Sequence, residues 1–65
     1  MPKLSLTAAR VNAGYTQKQV AKRLNVSIST IKNWEKGITF PKQPMIEALC
    51  ELYNIMYDYL DFSGR

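Results

Sequence analysis

Histidine is absent from the 65 residues, and cysteine occurs once, at Cys50. A single thiol closes no internal disulfide, and a metal site would need carboxylates alone. Disulfide and zinc scaffolds are therefore excluded, and a reducing, cytoplasmic setting is expected. Acids are scarce as well, five Asp and Glu against nine Lys and Arg. They fall outside any recognisable pair geometry for general acid–base chemistry, and Cys50 sits in an apolar stripe. No catalytic residue, metal, cofactor or small-molecule substrate is expected. No apolar run approaches the roughly 20 residues of a spanning helix, and the amino terminus leads into no stretch of signal-peptide length. A soluble protein with no membrane partner is the expectation.

What is present is unevenly placed. From Met1 to Lys42 stand eight bases (Lys3, Arg10, Lys18, Lys22, Arg23, Lys32, Lys36, Lys42) and one acid, Glu35, a net +7. From Gln43 to Arg65 a single base, Arg65, faces Glu47, Glu51, Asp58 and Asp61, a net −3. A plain solvated surface mixes its signs; segregation of this kind suits a polyanionic partner for the first two-thirds.

Residues 1–65 have the size of one domain with one core, and helical periods dominate them. The punctuation predicts an all-α bundle of five short helices, over about 5–13, 17–24, 28–36, 44–53 and 56–61. Leu6, Ala9 and Ala13 form the apolar stripe of the first, which stops at Gly14. Thr16-Gln17-Lys18-Gln19 is a capping box opening the second. Val20, Ala21 and Leu24 are its buried face, and Asn25 is suited to the left-handed conformation that ends a helix. Ser27 then offers a second N-cap, with Val26 and Ile31 as a hydrophobic staple. The third helix runs to Lys36 and stops at Gly37. Two helices separated by Asn25-Val26-Ser27 have the spacing of a helix-turn-helix. Pro44 suits the start of the fourth helix, whose stripe is Ile46, Leu49, Cys50 and Tyr53. Trp34 and Phe40 are read as core.

On a helical wheel Ile31 and Trp34 share one face of the third helix. The opposite face collects Ser29, Asn33 and Lys36, with Lys32 beside them and Ile28 on the flank. None of these is acidic. Asn can bond an adenine edge bidentately, Ser bonds either base type, and the methyls of Ile can meet thymine.

At this point the chain resembles the phage-repressor and Cro-type helix-turn-helix regulators, with their lambda-repressor-like DNA-binding domain. The resemblance runs from Leu6 to Leu60. It is carried by Ala9-Arg10-Val11-Asn12-Ala13-Gly14-Tyr15-Thr16-Gln17, by Val20-Ala21, by Leu24-Asn25-Val26-Ser27 and by the run from Ser29 to Gly37. Asn25 departs from the glycine usual there, and Met56 replaces the small polar cap common before the last helix. The resemblance implies a transcriptional regulator, most simply a phage- or prophage-type repressor, bound to a double-stranded DNA operator. It implies base reading by Ile28, Ser29, Lys32 and Asn33, and phosphate binding by Gln17, Lys36, Thr39 and Lys42. It also implies an ion pair, Arg10 with Glu35, tying the first helix to the third.

The cluster of Tyr53, Tyr57, Tyr59, Leu60 and Phe62 exceeds what one small core needs. Tyr57, Tyr59, Leu60 and Phe62 are therefore expected at the interface of a weak homodimer. The rival reading is a helix-turn-helix interaction module, such as an antitoxin or an inhibitor, acting mainly through a protein partner. Acids or large apolar residues on the outer face of the third helix would favour it, and Ile28 is the one hint.

Overall fold

The first three helices each begin at a side-chain cap. A computed structural model describes residues 3–64. Strand β1 (Leu4–Ser5) leads directly into α1 (Leu6–Asn12), whose N-cap Ser5 accepts the Ala8 amide at 3.0 Å. Helix α2 (Gln17–Leu24) starts from the reciprocal box: Thr16 Oγ1 accepts the Gln19 amide at 3.1 Å, and Gln19 Oε1 accepts the Thr16 amide at 2.9 Å. Such caps satisfy two otherwise orphaned donors and contribute about 1 kcal/mol each.

Asn25 ends α2 at φ 58°, ψ 44°, and the Val26 amide closes back on the Ala21 carbonyl at 3.0 Å. Ser27 then caps α3 (Ile28–Lys36) through the Thr30 amide at 3.2 Å. Asparagine pays little for the left-handed conformation because its short polar side chain bonds locally. The chain can therefore reverse within three residues. Gly37, at φ 75°, closes α3, and α4 (Gln43–Tyr53) begins with Pro44 in its first turn and ends at Asn54, φ 52°.

The core is one cluster drawn from all four helices and the carboxy-terminal segment: Leu6, Ala9, Val20, Ala21, Ile31, Trp34, Leu49, Tyr53 and Leu60. Ile31, Leu49 and Val20 are the most completely enclosed, each worth about 1.5–3 kcal/mol of burial. Among the described residues no helix is long and apolar enough to cross a membrane.

Three sequence expectations need correction. Among the described residues there are four α-helices, not five: the last segment is a single 3₁₀ turn, Tyr57–Tyr59, followed by strand β2 (Leu60–Asp61). β2 pairs in parallel with β1, Leu4 opposite Leu60 and Ser5 opposite Asp61. Pairing lets Leu60 enter the core at 2% exposure while its backbone still finds partners. Phe40 is not core; it is 64% exposed. The loop turns Pro41 inward instead, and Pro41 is buried. The stripe of α4 also divides: Leu49 and Tyr53 are buried, while Ile46 and Cys50 stay half-covered. Partial burial, with Glu47 nearby, raises the Cys50 thiol above its ordinary range.

Candidate nucleic-acid interface

Burying Ile31 and Trp34 fixes the rotation of α3, and with it what the helix shows outward. Ile28, Ser29, Lys32 and Lys36 are exposed, and Asn33 is half-buried at the edge of the same face. Thr39 and Lys42 are exposed on the loop that follows. The expected base-reading and phosphate-binding residues of α3 and its loop are thus all accessible, Asn33 the least so. The only acid of α3, Glu35, is turned away from them.

Glu35 lies between three helices, its side chain 6% exposed, and gathers donors from two of them. Arg10 Nε of α1 donates to Glu35 Oε2 at 2.7 Å, with Nη2 3.5 Å from Oε1. Arg10 Nη1 meanwhile donates to the Tyr15 carbonyl at 2.8 Å, fixing the turn between α1 and α2. Thr7 Oγ1 and Gln17 Nε2 donate to Glu35 Oε1 at 3.0 and 2.9 Å. An ionised carboxylate only accepts, so the Gln17 amide must present its nitrogen. The Tyr53 phenol lies in the same region. Burial first, and then the Glu35 charge, hold its proton well above the ordinary range, partly countered by Arg10.

Sequence reasoning paired Arg10 with Glu35 and missed Thr7 and Gln17 as further partners. A signal was available: a carboxylate offers about four acceptor sites, and one guanidinium fork fills two. Arg23, whose Cζ lies over the Tyr15 ring 5.6 Å from its centroid, carried no sequence signal beyond its charge. The expected dimer residues divide. Leu60, at 2% exposure, is a core residue and offers nothing to a partner. Tyr57 and Tyr59 are 57% and 38% exposed, and Phe62 is half-buried with its ring 5.9 Å from that of Tyr57. Met56, 66% exposed, adjoins Tyr57 at the end of a shallow apolar groove formed with Ile46, Cys50 and Ile55.

Comparison with known families bears on this arrangement directly. A helix-turn-helix family model matches residues 6–60, all four helices included. The chain belongs to the Cro and lambda-repressor-like helix-turn-helix family. It is 40% identical over 55 residues to the HTH-type transcriptional regulator ImmR of Bacillus subtilis (strain 168). That alignment covers 85% of this chain and 43% of ImmR, so the chain spans less than half the length of that relative. No solved structure matches the chain significantly. Within this helix-turn-helix family frame, α2 is the first helix of the motif, Asn25-Val26-Ser27 its turn and α3 its second helix.

Proposed function

We propose that this chain is a sequence-specific double-stranded DNA-binding domain of a transcriptional regulator, with α3 laid in the major groove. The observation that carries the reading is the outer face of α3: polar and basic apart from Ile28 and free of acids, in a helix whose one carboxylate is buried and paired with Arg10. Ile28, Ser29, Lys32 and Asn33 read base edges, in keeping with their donors, acceptors and methyls. Lys36, Thr39 and Lys42 hold the backbone from the carboxy-terminal side of α3. Gln17 holds it from the other side, at the first position of α2, where the Gln17 and Lys18 amides have no intrahelical acceptor and suit a phosphate.

One such helix reads only a few base pairs, too few to single out a site among genomic competitors. A two-fold dimer on half-sites about one helical turn apart supplies the rest. The exposed Met56, Tyr57 and Tyr59 support protomer contact there, on the part of the chain that carries its acids and so turns from DNA. A repressor of phage or prophage type, acting in the cytoplasm, is the simplest regulator of this form. Selection of bound duplexes from a random pool, followed by footprinting of the winner, tests the reading. Enrichment of a two-fold-related sequence with protected half-sites is the expected result. A pool that never enriches removes DNA as the main partner and favours an interaction module, for which the exposed Ile38 and Phe40 beside α3 offer an apolar surface.

A further inference from the structure

We propose that Glu35, which touches no DNA itself, is the positioning residue for the Gln17 phosphate contact. The inference rests on the DNA-binding function proposed above. A glutamine side chain at the start of a helix normally samples several rotamers, and immobilising one on binding weakens affinity about two- to tenfold. Here Glu35 Oε1 already holds Gln17 Nε2 at 2.9 Å in the free protein. One amide hydrogen is committed to Glu35. The second remains for a phosphate oxygen, beside the unpartnered backbone amides of the first turn of α2.

A carboxylate placed near a phosphate would ordinarily repel it. Arg10, 2.7 Å from Glu35 Oε2 and largely buried with it, cancels that charge and permits the placement. Thr7 adds a third donor at 3.0 Å and holds the carboxylate from the α1 side. Glu35 belongs to α3 and Gln17 to α2. The bond between them therefore also sets the distance between the helix that reads bases and the side chain that grips the backbone, before DNA arrives.

A double-mutant cycle tests this: wild type, Glu35→Met, Gln17→Ala and the double variant, each titrated at one salt concentration against the selected duplex. The cycle cancels the added positive charge of Glu35→Met, which acts in both backgrounds. The expected result is a coupling of about two- to tenfold per bound protomer, Glu35→Met being that much more harmful to binding where Gln17 is present than where it is absent. In the free wild-type protein, ¹⁵N relaxation of the Gln17 side-chain amide should show order close to that of the backbone. A coupling factor of one overturns the proposal. So does a Gln17 amide that reorients freely in the wild type, a result that requires no variant to fold. Loss of the positioning role with duplex selection intact leaves the DNA-binding function standing; failure to select any duplex removes both.

Discussion

Arg10→Met is the most informative single change for stability. In the native protein Arg10 and Glu35 side chains are 13% and 6% exposed and 2.7 Å apart. Removing the guanidinium leaves the buried Glu35 carboxylate with Thr7 and Gln17 as its remaining donors, both neutral. It also takes the 2.8 Å donor from the Tyr15 carbonyl. An uncompensated buried charge costs about 3–5 kcal/mol, and the two neutral donors place the expected loss near the lower end. A domain of this size has few kcal/mol to lose, so the unfolding midpoint should fall by 10 °C or more on a scale of about 4–8 °C per kcal/mol. The double change Arg10→Met, Glu35→Leu removes both charges and fills the space with apolar atoms. It should be more stable than Arg10→Met alone. Trp34, the only tryptophan and 7% exposed, reports unfolding in urea through its fluorescence. Additive losses in that cycle would mean that the two charges do not depend on each other, and the three-helix junction described above would be wrong.

Four further outcomes follow from the same structure. Ser29→Ala should weaken binding of the selected duplex by about 1–3 kcal/mol and relax preference at one base pair, whereas Lys42→Ala should weaken all sequences alike in gel-shift titrations. Affinity should fall with salt at a log–log slope steeper than roughly −5 for two protomers, given about four phosphate contacts each; a flat response in a fluorescence titration would contradict it. Leu60→Ala should cost about 2–5 kcal/mol in urea unfolding because Leu60 is core, at 2% exposure, while Tyr57→Ala should leave stability nearly unchanged and reduce self-association in sedimentation. Gly37→Ala should lower the melting temperature, because φ is +75° and the added Cβ would lie 2.5 Å from the Ser63 carbonyl oxygen.

The helix-turn-helix was legible because its signals are local. Thr16 to Gln19, Asn25 and Ser27 each cap a helix through residues three or four positions away, and such chemistry is written in adjacent letters. The carboxy-terminal segment was not, because its conformation is decided by a partner far along the chain. A two-residue strand such as Leu60–Asp61 has no period to detect and exists only by pairing with Leu4–Ser5. Phe40 was misread for a related reason: its preference for burial is overridden by the loop, which places Pro41 inside and leaves Phe40 64% exposed. In the candidate site, residue types on the outer face of α3 were legible from the wheel. The junction at Glu35 was only half legible, since Thr7 and Gln17 meet it through tertiary packing of α1, α2 and α3.

The central claim, that the outer face of α3 reads base pairs, is tested most directly by a ratio of affinities. Wild type and Asn33→Ala are each titrated, at one salt concentration, against the selected duplex and a scrambled duplex of equal length. The wild type should prefer its selected duplex by about a thousandfold or more. Asn33→Ala should lose about ten- to a hundredfold of that preference while binding the scrambled duplex as well as before. A wild-type ratio near one, or an equal loss on both duplexes in the variant, would contradict the assignment of α3 as the reading element.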